Sequence, residues 1–223
     1  MHDGDLLALL ASVAPSERDA VVEGHLDIDG SASSAAPGAD LVGYHASGVA
    51  SIVRMSIEVP VTEDDVFVDL GSGLGKVVLL THLLTGATAR GIELQSDLVE
   101  RARRAAARLD LDVRFVHADV RVVVGAELDD GTVFFLYAPF TGAVLGDVVQ
   151  RLHTVASRRP IVVCALGVDL ERVASWLVRR DVDAFWLTIY DSVVPGVPAR
   201  PPRSRAPSLG EHADVVAFER SAR

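Results

Sequence analysis

An alternation of short apolar runs with helical patterns, which begins near residue 65, constrains the fold of this chain more than any other feature. Runs rich in Val, Ile, Leu and Phe lie at residues 66–70, 89–93, 113–117, 133–138 and 161–166. Helical patterns lie between or after them, at residues 75–85, 96–109, 143–156 and 169–180. Strands without polar alternation are covered on both faces, and strands that alternate with helices form right-handed crossovers in a parallel sheet. The alternation therefore predicts a doubly wound α/β domain.

The two ends of the chain depart from this alternation. Residues 183–194 and 212–220 are both strand-like, and the connector between them holds five of the ten prolines. Proline disrupts helices and sheets, so we predict a loop there and a terminal antiparallel hairpin that brings the sheet to seven strands. Before the alternation, residues 5–13 and 16–23 have the pattern of two short helices, with Ser16 as the predicted N-cap of the second.

The composition excludes several classes of function. The chain has 223 residues and a formal net charge of −10, which argues against a nucleic-acid partner bound through a broad basic face. No apolar run approaches the ~18–20 residues of a membrane span, and acidic residues precede the N-terminal apolar stretch, where a secretory signal carries basic ones. The one cysteine, Cys164, fits a reducing cytoplasm. No histidine pair has the spacing of a metal site, and the sequence gives no indication of the oligomeric state.

The first apolar run leads into VDLGSGLGK, where Asp69 precedes Gly71, Gly73 and Gly75. In a doubly wound sheet, ligands bind beyond the carboxyl ends of the strands. Glycines allow the chain to turn sharply and let a ligand lie against the backbone, while the helix that follows points its first amides at that ligand. We therefore expect a ligand site at this loop.

Three ligand classes compete for such a loop. A phosphate-binding P-loop requires Ser or Thr after its lysine, and here Val77 follows Lys76. A dinucleotide site requires a third glycine where Lys76 stands, and Asp69 would repel a pyrophosphate. The same carboxylate is favourable beside S-adenosylmethionine, which carries an ammonium group and a sulfonium cation. A nicotinamide-dependent reductase is the less favoured alternative.

Two further acids follow the next two predicted strands. Glu93 ends the second strand, where a carboxylate can accept hydrogen bonds from both ribose hydroxyls. Asp119 comes just after the third strand and is placed to accept a hydrogen bond from the adenine amino group. Together with Asp69 and the glycine loop, these acids predict a site for S-adenosylmethionine.

At these residues the sequence resembles the class I S-adenosylmethionine-dependent methyltransferases, over residues 44–220. VDLGSGLGKVVL is especially similar to the first motif of the non-SET-domain histone-lysine methyltransferases and of small bacterial methyltransferases related to them. The resemblance implies a seven-stranded Rossmann-like sheet whose last strand is antiparallel. It also implies that Glu93 binds the ribose, that Asp119 binds the adenine, and that Pro139 and Phe140 shape the pocket. The residues implied around the methionine are Asp69, Gly71, Ser72, Gly73 and Gly75.

The same resemblance implies a position for the acceptor. Tyr44 and His45 match a segment that closes over the methionine end in related enzymes. Several bacterial relatives have a Tyr-Asn-Pro-Phe-like motif where this chain has Tyr137, Ala138, Pro139 and Phe140. Because Ala138 cannot accept a hydrogen bond from an amine, a lysine or an exocyclic amine is disfavoured as the acceptor.

The function predicted from these residues is methyl transfer from S-adenosylmethionine to the oxygen or nitrogen of a small molecule. Alignment of the acceptor and exclusion of water are the main requirements of such a displacement. An acceptor that carries a proton also needs a base, for which His45, Tyr44 and Tyr137 are the candidates. The alternatives are a catalytically silent binding protein or protein-interaction module, and a protein-lysine methyltransferase.

The predicted organisation has two parts. Residues 1–56 are expected to form a helical cap and lid segment, in which residues 29–40 are a flexible connector and a helix starts near Ser47. Residues 57–223 are expected to form the Rossmann-like domain that binds S-adenosylmethionine. We expect the acceptor pocket to be built by residues 1–56 and 195–211.

Overall fold

The computed structural model describes residues 3–29, 38–123, 125–138, 140–182 and 186–203. The helices in these ranges are α1 (Asp3–Ser12), α2 (Arg18–Leu26), α3 (Val49–Glu58), α4 (Lys76–Thr85), α5 (Ser96–Arg108) and α6 (Gly142–Ala156). The strands are β1 (Val66–Leu70), β2 (Thr88–Glu93), β3 (Val113–His117), β4 (Val133–Tyr137), β5 (Val162–Leu166), β6 (Leu177–Arg179) and β7 (Leu187–Ser192). None of the described helices is long and apolar enough to cross a membrane.

The strands form one seven-stranded sheet in the order β3-β2-β1-β4-β5-β7-β6. The strands from β1 to β5 pair in parallel, whereas β7 is antiparallel to both β5 and β6. The chain places β2 and then β3 on one side of β1, and afterwards places β4 and β5 on the other side of β1. The sheet is therefore doubly wound. The predicted fold class is therefore confirmed, including the antiparallel pair at the C-terminal end and the N-terminal helices.

The second strand of the antiparallel pair is not the predicted one. Residues 169–180 have a helical pattern, yet the structure has turns there that lead into β6, where Leu177 pairs with Ser192. Hydrogen bonding to the outer edge of β7, continued by Arg180 N to Ile189 O at 2.8 Å, outweighs the local helical preference. The prediction of a helix over 169–180 is wrong. The predicted strand 212–220 lies outside the described residues.

Each face of the sheet carries its own apolar cluster. Side chains alternate between the faces along β1, so that Phe67 packs on the side of α1 to α5 while Val68 packs on the side of α6. Asp69 follows this alternation on the Phe67 side. The side chains of Leu10 and Val22, from the N-terminal helices, belong to the same buried cluster as Phe67. The N-terminal helices thus cover the sheet face on which Asp69 lies.

The N-terminal helices follow the sequence pattern with one correction. Helix α3 begins at Val49, near the predicted start at Ser47, and its apolar side is buried. Ser16 does not cap α2, because Pro15 begins a short 3-10 turn and α2 starts at Arg18 with no side-chain cap. Proline fixes φ at a value suited to the first turn of a helix, so the helical turn begins at Pro15, one residue before Ser16.

The last described segment lies at the edge of the sheet where the strands begin. Asp65 precedes β1, and its carboxylate accepts hydrogen bonds from Arg200 Nη2 at 2.9 and 3.0 Å and from Arg203 Nη1 at 2.8 Å. Thr132, which precedes β4, donates to the same carboxylate at 2.8 Å. The expectation that residues 195–211 build the acceptor pocket is wrong for residues 198–203, because these ion pairs hold them at the edge opposite to the carboxyl ends. Residues 204–211 lie outside the described residues.

Candidate cofactor site

A cavity of about 260 Å³ opens at the edge of the sheet where β1, β2 and β4 end. Its walls come from the loop after β1, the ends of β2 and β3, the residues after β4, and the chain between residues 41 and 47. This is the edge at which doubly wound sheets bind ligands. The predicted site residues that line it are Tyr44, His45, Asp69, Gly71, Ser72, Glu93, Asp119, Tyr137 and Phe140. Pro139 lies outside the described residues.

The glycine loop is fixed by hydrogen bonds to the neighbouring strand. The amides of Gly71 and Ser72 both donate to Ile92 O, at 2.8 and 3.1 Å. Gly73 and Gly75 do not line the cavity; both have positive φ and both face side chains. A Cβ on Gly75 would stand 2.4 Å from the ring of Phe115, which leaves no room for a side chain there. These two glycines therefore serve the packing of the loop.

The three predicted acids lie in different environments. Asp69 is buried, and burial followed by the charge of Glu93 raises its pKa well above the ordinary value. Glu93 accepts hydrogen bonds from Gly73 N at 2.9 Å and from Gln95 N at 2.8 Å. Asp119 binds the guanidinium of Arg121, with a shortest contact of 2.6 Å, and this hydrogen bonding lowers the pKa of Asp119. The sequence places these acids together, and the structure shows that they differ in burial and in partners.

The cavity is lined by more acidic than basic side chains. Among the described residues that line it, Lys76 is the only side chain with a permanent positive charge. Lys76 Nζ is already bound by Asp19 Oδ1 and Glu23 Oε1, both at 2.6 Å. Charges in a partly buried cleft are poorly screened, so the site favours a ligand with positive charge and disfavours a pyrophosphate.

The described residues that precede α3, from 38 to 48, cross the cavity. One end is held at the start of α6, where Asp40 O accepts from Thr141 N at 2.9 Å and Asp40 Oδ2 accepts from Ala143 N at 3.2 Å. Further along, the ring of Tyr44 lies against Gly73. Burial, together with the charge of Glu23, raises the pKa of Tyr44 to about 12. Tyr44 therefore keeps its proton at neutral pH and forms a wall of the cavity.

Comparisons with known proteins agree with this geometry. The family model of the histone methylation protein DOT1 matches residues 44–115. An RNA methyltransferase from Salinibacter ruber, solved in complex with S-adenosylhomocysteine, is 27% identical, with 72% of this chain and 99% of that chain covered and a TM-score of 0.52. A putative methyltransferase from Escherichia coli is 17% identical, with 64% and 86% of the chains covered and a TM-score of 0.53. The comparison with curated proteins gives no match.

These matches support the class I S-adenosylmethionine-dependent methyltransferase family for this chain, whose sheet has the fold of that family. The cofactor of this family is S-adenosylmethionine, as the sequence predicts. The histone methylation protein and the RNA methyltransferase have different acceptors, so these resemblances do not determine the acceptor of this chain.

Two non-glycine residues near the end of β4 have strained backbone conformations. Ala138 and Trp186 both have positive φ, at 37° and 64°, which is uncommon for residues other than Gly, Asn and Asp. They flank Gly167, whose amide donates to Trp186 O at 2.9 Å. A Cβ on Gly167 would lie 3.8 Å from the ring of Tyr137, which is 37% exposed. Of the strained residues, Ala138 lines the cavity, where such strain is typical of ligand sites, whereas Trp186 does not line it.

The sequence does not predict a function for Lys76, which lines the cavity. Its position directly after the last glycine of the loop, as the single lysine of the chain, is the signal that points to it. The functional roles of the residues around the cavity stay predictions.

Proposed function

We propose that this protein transfers a methyl group from S-adenosylmethionine to a small-molecule acceptor. The observation that carries the proposal is the charge of the cavity at the carboxyl edge. Asp69, Glu93 and Asp119 project from three consecutive strands, while Lys76 is already neutralised by two carboxylates. A ligand with an ammonium and a sulfonium is attracted to these carboxyl groups and favours the ionised form of Asp69, whereas the pyrophosphate of a dinucleotide would be repelled by them.

The hydrogen-bonding groups of the cavity fit this cofactor. Ser72 Oγ is buried and has no partner among the described residues, so a bound ligand can satisfy it. The carboxylate of Glu93 has about four acceptor positions and uses two for backbone amides, which leaves capacity for two ribose hydroxyls. Asp119 already accepts from the Arg121 side chain, so an adenine amino group would share that carboxylate with Arg121.

The sulfonium supplies an activated methyl group, and the protein has to align the acceptor and exclude water. Tyr44 closes one side of the cavity, which supports the second task. For the proton of a hydroxyl acceptor, His45 is the better base, because Tyr44 keeps its own proton with a pKa of about 12. His45 lines the cavity together with Tyr137. We assign proton acceptance to His45.

The acceptor would enter beside Tyr137, which lines the cavity and is 37% exposed. The methyl group of Ala138, which also lines the cavity, offers no hydrogen bond to an amine, and this favours an oxygen acceptor over a primary amine. The formal net charge of −10 favours a small molecule over a polyanion.

RNA is a second candidate acceptor because of one comparison. The RNA methyltransferase from Salinibacter ruber is 27% identical over 99% of its own chain. Against it stands the acidic character of this chain, since RNA binding normally requires a cluster of basic side chains. Offering RNA and small molecules to the same preparation distinguishes the two acceptors.

Calorimetric titration with S-adenosylhomocysteine tests the cofactor, with NADH as the control ligand. We expect binding of the first and none of the second, and a loss of binding in Asp69→Ala. Formation of S-adenosylhomocysteine is then followed with a small-molecule library and with total RNA. Binding of NADH alone would overturn the proposal. Cofactor binding without turnover on any acceptor would instead support a catalytically silent binding protein.

A further inference from the structure

We propose that Lys76 is a positioning residue that holds α2 and the chain over residues 40–48 across the cofactor cavity. The inference rests on the proposed function, because its consequence is the affinity for the cofactor. It concerns residues that lie far apart in the sequence and that meet only in the folded protein.

The contacts of Lys76 connect three helices. Its Nζ, at the first residue of α4, lies 2.6 Å from Asp19 Oδ1 and 2.6 Å from Glu23 Oε1, both on α2. The side chain of Lys76 is only 3% exposed. Asp19 Oδ1 also accepts a hydrogen bond of 2.9 Å from Val49 N, the first residue of α3. One buried ammonium and one carboxylate therefore join the starts of α3 and α4 to α2.

These contacts fasten one end of a strap, which we define as residues 40–48. The strap ends where α3 begins, so the bond between Val49 and Asp19 fixes that end next to Lys76. The other end is fixed at α6 through Asp40, by the bonds from Thr141 and Ala143. Between the two fastenings, Tyr44 lies on Gly73 and His45 lines the cavity. Release of either end would free the wall of the cavity that Tyr44 forms.

The charges around Lys76 explain why its removal should release the nearby end of the strap. Without the ammonium, the carboxylates of Asp19 and Glu23, which both lie 2.6 Å from Lys76 Nζ, would repel each other. The side chain of Glu23 is only 19% exposed, so its charge would be left partly buried without a partner. The side chain of Asp19 is 49% exposed and can turn toward solvent, which would break its hydrogen bond with Val49 N. We expect α2 to move so that the two carboxylates separate, and the strap to move with it.

The test compares Lys76→Met with a control variant, Arg108→Met, which also affects a contact with the N-terminal helices. Arg108 also links the N-terminal region to the domain, through Asp27 Oδ2 at 3.4 Å and His25 O at 2.8 Å, but it is 45% exposed and does not line the cavity. We expect Lys76→Met to weaken S-adenosylhomocysteine binding by about tenfold or more, and Arg108→Met to change it by less than about twofold. Hydrogen exchange of residues 40–48 should increase in Lys76→Met and not in Arg108→Met.

Two further measurements keep the test decisive. If Lys76→Met does not fold, Asp19→Asn removes the charge while it keeps an acceptor for Val49 N, and the same exchange of residues 40–48 is measured. Lys76 is the only lysine in the chain, so selective ¹⁵N-lysine labelling reports on it alone. We expect a slowly exchanging ammonium signal in the wild-type protein and its loss in the Asp19→Asn, Glu23→Gln double variant.

The outcomes separate this inference from the proposed function. A folded Lys76→Met variant with unchanged exchange over residues 40–48 and unchanged affinity would overturn the role of Lys76. A wild-type protein that binds no S-adenosylhomocysteine would overturn the proposed function, while the exchange and ammonium measurements, which need no ligand, would still decide whether Lys76 holds the strap.

Discussion

The ring of Tyr44 lies so close to Gly73 that a Cβ on Gly73 would stand 2.3 Å from two of its carbon atoms. Gly73 also has a φ of +53°, which L side chains rarely adopt, and its amide donates to Glu93 at 2.9 Å. The glycine loop, the wall of the cavity and the carboxylate predicted to bind the ribose thus meet at one residue without a side chain.

Replacement of Gly73 by alanine should therefore disturb both stability and binding. We expect Gly73→Ala to lower the free energy of unfolding by ~2 kcal/mol or more, because the backbone is strained and Tyr44 must move. Displacement of Tyr44 should also weaken S-adenosylhomocysteine binding. Chemical denaturation and calorimetry measure the two effects.

Gly24 provides the matched control. It lies inside α2, and a Cβ there would meet no atom within 4 Å. Gly24→Ala should raise the free energy of unfolding by ~0.5–1 kcal/mol, since alanine loses less backbone entropy in a helix. Equal destabilisation by both substitutions would contradict the close contact at Gly73.

The titration of Asp69 gives a second prediction. Burial and Glu93 raise the pKa of Asp69, so the folded protein holds a proton that the unfolded chain has already released. The stability of the ligand-free protein contributed by this group should therefore fall as the pH rises from the ordinary pKa of aspartate toward the raised one. Asp69→Asn should remove this part of the pH dependence, which denaturation at a series of pH values measures.

Ligand binding should show the opposite trend with pH. An ammonium beside Asp69 favours the ionised carboxylate, so S-adenosylhomocysteine affinity should increase as the pH rises through the raised pKa of Asp69, with release of a proton on binding. Calorimetry in buffers of different ionisation enthalpy detects that proton. An affinity that is independent of pH in the wild-type protein would count against contact between the ammonium and Asp69.

The parts of the site that could be predicted from the sequence depend on local pattern. Asp69, Glu93 and Asp119 each follow an apolar run, and parallel strands bring their carboxyl ends to one edge of the sheet. The same logic failed for residues 169–180, where the partner strand β7 decides between a helix and β6. It also could not give Asp19 as the partner of Lys76, because the two residues are 57 positions apart and meet only through the packing of α2 on α4.

The ion pairs at the opposite edge should affect stability without affecting the cofactor. The Asp65 side chain is completely buried, and Arg200, its partner, is 9% exposed. Asp65→Asn leaves Arg200 without its carboxylate and should lower the free energy of unfolding by ~3 kcal/mol or more. Affinity for S-adenosylhomocysteine should stay the same, because Asp65 lies at the start of β1 and Asp69 near its end.

An exposed ion pair provides the comparison for Asp65. Arg158 and Asp129 lie 3.2 Å apart but are 59% and 45% exposed, so Arg158→Met should change the free energy of unfolding by less than ~1 kcal/mol. Urea denaturation of both variants is the measurement. A loss of cofactor binding in folded Asp65→Asn would mean that the two edges of the sheet are coupled.

The last prediction separates the two candidate bases, His45 and Tyr44, once an acceptor supports turnover. His45→Gln should lower kcat by roughly 10²–10⁴ with little change in S-adenosylhomocysteine affinity, since a general base acts on the acceptor and not on the cofactor. Tyr44→Phe should leave kcat nearly unchanged, because a phenol with a pKa of about 12 holds its proton and the ring still covers Gly73. A large loss of kcat in Tyr44→Phe together with full activity in His45→Gln would exchange the two roles and make the hydroxyl of Tyr44 the group that contacts the acceptor.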